Sequence, residues 1–472
     1  MTPGASPWAA DRRVLTLGLL GLITAAAFEG MAVPTVLPAM VDDLGGLDLY
    51  GWAFSVFWLT NIIGITLAGS DADRRGPARA LAVGAVLFAA GMVVAGVATG
   101  MPMVIAGRAI QGFGAGALGS VVYTAIARGY VPAARPRMIA FTSSAWVVPG
   151  LVGPALAGFL ADTVGWRWVF LGIAPPVVIM AVAVLPELRR LEAVDRIEAP
   201  ARSDARLAVD AIQLAVGSTL FLAALTVGSL PVGIAMAVIG IALALLAVRH
   251  LLPPGSLRLG RGRPSVFAAC FAVAFAFFGT EAFVPLTVVE VRDSTTTIGG
   301  LALSAAAVSW ATGSWLQARA AGAGIRRSLV VLGFALIAVG IAVTSLILLP
   351  GTPLPLAAVG WGIAGLGMGL AFSMLSLLVL ETATPGEEGV SSAGLQLMFT
   401  LGTAFGAGIG GAVVAFAEEG HLALPPALGI VNGGMLVVAL LGLLVALRVP
   451  HRPTAGPDKD LSRARPISFE HP

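Results

Sequence analysis

The chain has 472 residues, of which 57% are hydrophobic and 11% charged, and its formal net charge is +3. Soluble globular proteins carry about 25% charged residues, so this composition excludes a water-soluble fold and places most of the chain in lipid. The single cysteine, Cys270, excludes an internal disulfide and any cysteine metal cluster. The four histidines lie in predicted loops or in the tail, and no metal site is predicted.

A helix needs about 20 mostly apolar residues to cross a bilayer, and fourteen stretches of the chain meet this requirement. Six precede a charged stretch, two follow it, and six more follow a second basic loop. This 6 + 2 + 6 spacing predicts an all-α polytopic membrane protein with two six-helix bundles and an extra two-helix hairpin, and parallel repeats of this kind are typical of transporters. The predicted spans are about 13–40, 50–69, 79–99, 102–126, 138–161, 167–186, 207–228, 231–248, 264–289, 297–318, 327–349, 353–380, 389–417 and 425–447.

Basic residues orient these spans, because cytoplasmic loops collect Lys and Arg. Of the 28 Lys and Arg residues, all but Arg108, Arg167 and Arg292 fall on one side if both termini are cytoplasmic. We therefore expect a multi-pass protein of a bacterial inner membrane. The predicted segments are a cytoplasmic N-terminus (1–12), an N-terminal six-helix bundle (13–186), a cytoplasmic linker (187–206), the extra hairpin (207–248), a cytoplasmic loop (249–263), a C-terminal six-helix bundle (264–448) and a disordered cytoplasmic tail (449–472).

The loop between the second and third spans, "GSDADRRGPAR", resembles the loop signature of the major facilitator superfamily. Such a loop needs a tight turn and an Asp–Arg pair at the helix ends that can hold the cytoplasmic side shut. Two departures are Asp71, where the pattern prefers an apolar residue, and Pro77-Ala78, where it has a basic pair. The matching residues, which we expect to act as a gate, are Gly69, Asp73, Arg74, Gly76 and Arg79.

The fourth span contains "GRAIQGFGAGALG", which is similar to the second motif of the superfamily, Arg-x-x-Gln-Gly, with Arg108, Gln111 and Gly112. An arginine inside a span usually faces a partner or a wet cavity. The glycines do not indicate a nucleotide-binding loop, because that loop follows a strand in a βαβ unit.

The fifth span contains "PGLVGPALAG", in which Gly150, Gly153, Pro154 and Gly158 match the motif regarded as the antiporter signature of the superfamily. Glycines at these spacings give a smooth face for helix packing, and the proline loosens the hydrogen-bond ladder.

These three motifs occur in register, and the chain therefore resembles the 14-helix drug:proton antiporter branch of the major facilitator superfamily over about residues 12–450. The resemblance implies a proton-coupled exporter of lipophilic or cationic drugs that works by alternating access. It further implies a monomer in the lipid bilayer whose partners are protons and a lipophilic small molecule or lipid, with no nucleic acid. No cofactor is expected, since the proton gradient supplies the energy.

Two acids interrupt apolar spans in similar surroundings. Glu29 lies in "FEGMAVPTVLP" with Pro34 five residues later, and Glu281 lies in "TEAFVPLTVV" with Pro285 four residues later. They occupy the first helix of each half, and both lie about 25 Å from the cytoplasmic start of that helix. The resemblance implies that these two helices line the central cavity.

A charge at the bilayer centre costs at least about 2.5–3.5 kcal/mol, and an apolar environment favours the neutral carboxyl group. Glu29 and Glu281 are therefore predicted to bind a proton when shut off from water and to release it when a cationic substrate arrives. Arg108 is expected to reach the depth of Glu29, to favour its ionised form and so to separate the roles of the two acids. The alternative is that each glutamate is satisfied by hydrogen bonds and is structural.

The expected substrate cavity is apolar with few polar anchors, which suits bulky lipophilic compounds. Its candidate aromatic walls are Phe28, Trp58, Phe277, Phe278, Phe283 and Trp310, and its candidate polar contacts are Asn61, Gln111 and Gln396. The extra hairpin carries little polar chemistry apart from Asp210 and is interpreted as peripheral to the transport path.

Three other functions remain open. The same fold would serve an exporter of an endogenous lipid or secondary metabolite, and the antiporter-like fifth span argues only weakly against a proton-coupled importer. A non-transporting membrane receptor or scaffold would need neither glutamate. An enzyme is not expected, because the sequence offers no nucleophile–base pair and no cofactor loop.

Overall fold

A computed structural model of the chain describes residues 7–9, 12–131, 134–194, 204–253, 255–257, 260, 262–320, 324–383 and 388–450. The predicted N-terminal segment, the linker and the tail lie largely or partly outside these ranges. The described part is built from α-helices. The helices before the predicted linker are α1 (Arg13–Leu44), α2 (Tyr50–Arg75), α3 (Pro77–Gly96), α4 (Met101–Gly129), α5 (Arg135–Ser144), α6 (Val147–Thr163), α7 (Arg167–Leu171) and α8 (Ala174–Val194).

The remaining helices follow in chain order. Short 3₁₀ turns precede α2 and follow α14, and single π-helical turns follow α12 and α16. The bounds are α9 (Asp204–Ala224), α10 (Leu230–Leu251), α11 (Arg263–Glu281), α12 (Val284–Leu286), α13 (Thr296–Ala320), α14 (Arg326–Ser345), α15 (Leu356–Glu381), α16 (Glu388–Phe416) and α17 (Leu424–Ala446).

Twelve helical segments are long and apolar enough to cross a membrane, so the predicted count of fourteen spans is not confirmed. The predicted span 138–161 is divided into α5 and α6, of which α6 is apolar but has only 17 residues. The predicted span 297–318 corresponds to α13, which has 25 residues but is diluted by serine, threonine and tryptophan.

The predicted span 264–289 is not one continuous helix, because α11 ends at Glu281. Pro285 has no backbone N–H to donate to the carbonyl of Glu281, so one hydrogen bond of the helical ladder is missing at this position. Ala282 and Phe283 keep right-handed helical backbone angles, and the chain resumes a regular helix in α12. The carbonyl of Ala282 accepts a hydrogen bond of 2.8 Å from the hydroxyl of Tyr50 on α2. A discontinuous helix therefore places Glu281 at a helix end inside a predicted span.

The two halves share one hydrophobic core at one end of the bundle, and the N-terminal half has a separate core towards the other end. We call the end that carries Tyr50, Asp162 and Thr296 the distal face, and the end that carries Arg13 and Gly76 the proximal face. At the distal face, parts of α1, α2, α4 and α7 join the core of α11–α17. Towards the proximal face, α1–α5 and α8 form a core of their own.

The distal closure depends on close approach of helices from the two halves of the chain. Helices α2 and α16 meet at Gly51 and Gly411, where a Cβ atom added to Gly51 would lie 2.5 Å from the Cα of Gly411. Nearby, the hydroxyl of Ser55 donates to the carbonyl of Ala404 at 2.9 Å. Glycine at these positions lets the two backbones pack without a gap.

Asp162, near the end of α6, caps the first turn of α13 across the same closure. Its carboxylate accepts hydrogen bonds from the backbone N–H groups of Thr296 (3.1 Å) and Thr297 (2.8 Å) and from the hydroxyl of Thr297 (2.5 Å). A carboxylate at a helix N-terminus satisfies N–H groups that have no partner within the helix and interacts favourably with the helix dipole.

The extra hairpin, α9 and α10, lies along the line where α2 meets α16. Leu222 of α9 packs with Leu59 of α2 and Ala404 of α16, and the rings of Phe221 and Phe405 lie 5.5 Å apart. The hairpin carries little polar chemistry, as predicted, but it contacts helices of both halves. Asp210, for example, pairs with His250 of α10 at 3.1 Å rather than with a bundle helix.

We expect Asp162→Ala to loosen the distal closure, because loss of a cap costs about 0.5–2 kcal/mol. In a Cys270→Ala background carrying Ser55→Cys, a membrane-impermeant maleimide added on the distal side should react about 2- to 30-fold faster than in the parent. Asp43→Ala is the matched control, since Asp43 pairs with Arg167 and Trp166 within one half. Equal labelling rates in both variants would contradict a role for Asp162 in the closure.

Candidate functional site

Glu29 and Arg108 form an ion pair in the interior of the N-terminal half. Glu29 is on α1 and Arg108 on α4, and their side chains are 1% and 2% exposed. A guanidinium N–H donates to Oε1 of the carboxylate. The expectation from the sequence that Arg108 reaches the depth of Glu29 is therefore met in the structure.

The guanidinium group of Arg108 also holds α2. Its Nε donates to the carbonyl of Ala53 at 3.1 Å, and its Nη1 donates to Oε1 of Gln111 at 2.9 Å. Its carbon Cζ lies 4.2 Å from the centre of the Phe57 ring, a favourable cation–π arrangement. Glu29 Oε2 and Gln111 Nε2 are buried without a partner among the described residues. This network joins α1, α2 and α4 and places a guanidinium group beside the carboxyl group of Glu29.

Glu281 has different surroundings, although the sequence contexts of the two acids are alike. Among the described residues it forms no ion pair, and its side chain is partly exposed. Its Oε2 accepts one hydrogen bond of 3.3 Å, from the indole N–H of Trp361 on α15. Glu281 is therefore partly exposed and has one neutral donor, whereas Glu29 is closed in and paired with a cation.

An aromatic cluster adjoins Glu281 through Trp361. Phe277 stacks on Trp361 with ring centres 4.8 Å apart and meets Trp310 edge-on at 5.7 Å. Phe278 contacts Trp310 at 6.2 Å and Trp58 of α2 at 6.5 Å. Further contacts extend the cluster to α16. Its members, which we call the aromatic cluster, are Trp58, Phe277, Phe278, Trp310, Trp361, Phe372 and Phe399.

The other predicted cavity residues lie outside this cluster. Phe283 stacks on Tyr50 at 5.5 Å in the distal closure, and the Phe28 ring lies against Gly153. Asn61 donates to the carbonyl of Gly112 at 3.4 Å, between α2 and α4. Gln396 is exposed on α16. Of the predicted aromatic walls, the structure thus brings four together beside Glu281.

The loop motif forms a tight connection between α2 and α3. Gly76 is the sole residue between them and has φ of 94°, a conformation that favours glycine. Asp71 lies 3.5 Å from Arg75 and 3.8 Å from Arg79, so the acid that departs from the superfamily pattern pairs with the matching arginine. Gly69 faces Ser120 of α4, and Arg74 is exposed. The side chain of Asp73 lies outside the described residues.

The antiporter-like motif packs α6 against two helices. A Cβ atom at Gly158 would lie 2.5 Å from the carbonyl oxygen of Thr296, and one at Gly150 would lie 3.2 Å from Ala307 on α13. The carbonyl of Pro154 touches Gly300 on the same helix, and Gly153 faces α1. The motif therefore forms the α6–α13 part of the distal closure.

Sequence reasoning missed Trp361, Phe372 and Phe399, which complete the aromatic cluster, and Tyr50, which binds the broken end of α11. Trp361 lies in the glycine-rich stretch "VGWGIAGLG", where small neighbours leave room for a large ring. That local contrast in size is the one signal that the sequence offered. The described residues contain no group of three His, Cys, Asp or Glu side chains that could hold a metal ion.

This geometry defines a helical membrane protein with two halves closed at one face and an acid among aromatic rings. Residues 18–347 match the family model of the Major Facilitator Superfamily. The match covers more than half of the chain, which therefore belongs to this superfamily. The family is one of transporters rather than enzymes, in agreement with the prediction from sequence.

Several curated relatives are bacterial transporters. An uncharacterized MFS-type transporter of Mycobacterium tuberculosis is 30% identical over 85% of this chain and 59% of its own length, so this chain spans less than two thirds of that relative. A probable multidrug-efflux transporter of the same organism is 26% identical, with 96% of this chain and 99% of the relative covered. Multidrug transporter protein MdtP of Bacillus subtilis is 27% identical, with 87% and 76% covered.

Solved structures share the fold. The peptide transporter POT in complex with sulfate has a TM-score of 0.64 at 18% identity and covers 91% of this chain and 94% of its own. A D-xylose-proton symporter has a TM-score of 0.63 at 15% identity, with 93% and 98% covered. The predicted superfamily and fold class are confirmed, whereas the 14-helix drug:proton antiporter branch is not.

We expect Arg108→Gln to destabilise the protein by about 3–5 kcal/mol, because it leaves the carboxylate of Glu29 buried and unpaired. Glu29→Gln should have a similar effect on the guanidinium. The double variant Glu29→Gln/Arg108→Gln removes both charges and should regain part of the loss. Thermal unfolding of the detergent-purified variants measures this, and additive losses in the double variant would contradict a direct pair.

Proposed function

We propose that this protein is a proton-coupled exporter of lipophilic or cationic compounds and that it works by alternating access. In this mechanism Glu281 carries the exchangeable proton. Glu29 and Arg108 supply a fixed, neutral pair that holds α1, α2 and α4 in place. The protein works as a monomer in a bacterial inner membrane, and the proton gradient drives it without a cofactor.

The observation that carries this proposal is the difference between the two glutamates. An acid that exchanges protons must be reachable by water and must be stable in both charge states. Glu281 is partly exposed and pairs with no described cation, whereas Glu29 is closed in and paired with Arg108. Intramembrane acids that are free to change charge are typical of proton relays in transporters.

The aromatic cluster supports the choice of substrate. A planar cation would gain dispersion and cation–π attraction from these rings and Coulomb attraction from the ionised carboxylate of Glu281. A bound proton and a bound cation would compete for that carboxylate, which makes their movements opposite and obligatory. The names of the relatives as multidrug transporters favour the same cargo.

The closure at the distal face supports alternating access. With the distal face outside, as the basic loops predict, the structure represents the state that is shut to the outside. Transport requires that the contacts of Tyr50, Asp162 and Gly51 separate while the proximal ends of the two halves come together. The loop motif, with Asp73, Arg74 and Arg79 at the proximal face, is the gate that closes in that second state.

The proposal predicts that Glu281→Gln abolishes coupled exchange. With purified protein in liposomes, added ethidium should move protons in wild type, followed by a lumenal pH dye, and at least about tenfold less in Glu281→Gln. Glu29→Gln is the matched control, because the same change at the paired acid should lower the yield of folded protein but retain coupling per folded molecule.

Coupling that persists in Glu281→Gln would contradict the assignment of the proton to this acid. A parallel series with a fluorescent phospholipid tests the alternative cargo, an endogenous lipid. Proton movement with the phospholipid but not with ethidium would replace the drug by a lipid and leave the mechanism in place. Exchange of either cargo without any proton movement would contradict antiport.

We further propose that α5–α6 and α13 each cross the membrane, which gives fourteen crossings with both termini in the cytoplasm. In support, α5 begins beside Tyr130 near the proximal face, and α6 ends at the distal Asp162. Fourteen crossings place the loop before α10 outside and the loop after α10 in the cytoplasm. If neither segment crossed, these two loops would exchange sides.

Fourteen crossings predict that, in a Cys270→Ala background, Ser229→Cys reacts with an impermeant maleimide added to intact cells and that Ser256→Cys does not. Ser229 is the exposed N-cap of α10, at the end of the hairpin that faces outside, and Ser256 lies in the following loop. The reverse pattern would indicate that α5–α6 does not cross the membrane.

A further inference from the structure

We propose that Trp361 is the positioning residue for Glu281: its indole N–H holds Oε2 of the carboxyl group and so directs the exchangeable proton to Oε1. This inference rests on the proposed function, in which Glu281 exchanges a proton. Trp361 is fully buried on α15, and its Nε1 lies 3.3 Å from Oε2.

The chemistry of the indole group decides which oxygen is protonated. Indole N–H is a donor only, so Trp361 requires an acceptor at Oε2 in both charge states of Glu281. A carboxylate oxygen satisfies this requirement, and so does the carbonyl oxygen of the neutral acid. The hydroxyl of the neutral acid is therefore formed at Oε1, the oxygen that does not accept from Trp361.

The ring of Trp361 is held in place independently of this hydrogen bond. It stacks on Phe277 with an angle of 24° between the planes. Phe277 precedes Glu281 by four residues on α11, so the two side chains lie on the same face of the helix. The indole ring of Trp361 thus packs on Phe277 and donates to Glu281, and this fixes the carboxyl group relative to α11.

The carboxyl group of Glu281 needs a support from outside its own helix. Within a helix, the preceding turn restricts the first side-chain torsion of a residue, whereas the outer torsions of a glutamate remain free. The next residues, Ala282 and Phe283, keep right-handed helical backbone angles but leave the regular hydrogen-bond pattern of α11. Trp361, from a different helix, supplies the restraint on the carboxyl group at this irregular point.

The consequence for transport is a carboxyl group in which Trp361 holds Oε2 and leaves Oε1 to bind the proton. A proton and the cationic group of a substrate would both bind at Oε1, so they exclude one another at a single atom. Without the restraint, the carboxyl group would rotate and offer either oxygen, and the competition would be weaker.

Infrared difference spectra between acid and alkaline pH test this assignment without any cargo. The protonated carboxyl band of Glu281 is identified by its absence in Glu281→Gln. In Trp361→Phe, which keeps a ring against Phe277 but has no N–H, we expect the band to move to higher wavenumber, because the carbonyl oxygen has lost its donor. Ethidium–proton exchange should slow about tenfold.

Trp310→Phe is the matched control. Trp310 also contacts Phe277, edge-on and without a hydrogen bond to Glu281 among the described residues, so this variant should leave the band in place. Trp361→Gln supplies an uncharged N–H donor and should return the band towards its wild-type position, which also serves if Trp361→Phe fails to fold.

An unmoved band in Trp361→Phe, or a band displaced equally in Trp361→Gln, would overturn the assignment of Trp361 and leave the proposed function standing. A spectrum of Glu281→Gln identical to that of wild type would show that Glu281 binds no proton. That result would overturn the proposed function, and the role of Trp361 with it.

Discussion

A carboxyl group inside a bilayer is tolerated if a cation neutralises it or if it becomes neutral by binding a proton, and the rest of this structure is arranged around that constraint. Glu29 meets it in the first way, because Arg108 donates to it and is itself held by Ala53 and Gln111. Glu281 has no such cation among the described residues and has an indole donor and partial exposure instead. Two acids with similar sequence surroundings in the two halves thus have different physical environments.

The break in α11 connects this acid to the closure between the halves. Pro285 removes one hydrogen bond of the helical ladder at Glu281, and the carbonyl of Ala282, one residue further on, accepts from Tyr50 of the other half. An unsatisfied carbonyl in a dry interior costs several kcal/mol, so the bond to Tyr50 favours the closed distal face. If the distal face opens, water must replace Tyr50 at this carbonyl. The backbone at Glu281 and the distal closure are therefore parts of one structural element.

Much of the fold could be predicted because lipid imposes a simple rule, that long apolar stretches form helices. The rule weakens where small and polar residues dilute the apolar character, as in α5–α6 and α13, which are not among the twelve clear spans. The pair Glu29–Arg108 was foreseeable, since two opposite charges in neighbouring spans have few other partners. Trp361 was not, because it lies 80 residues from Glu281 and an aromatic residue in a membrane helix usually faces lipid or another helix. The Asp162 cap was also missed, because helix capping across two halves depends on their relative position, which no local pattern encodes.

The extra hairpin limits how the two halves can move. Leu222 packs so closely on α16 that a Cβ atom at Gly408 would lie 2.6 Å from it, and the same side chain contacts α2. Because α2 and α16 belong to opposite halves, any rocking motion must slide one of them beneath α9. The α6–α13 contact, on the other side of the closure, also meets a third helix, because α1 places Thr35 against Gly300 of α13 and Met31 against Gly150 of α6. A motion that opens the distal face must therefore separate α13 from both α1 and α6 on one side, and must slide α2 or α16 past α9 on the other.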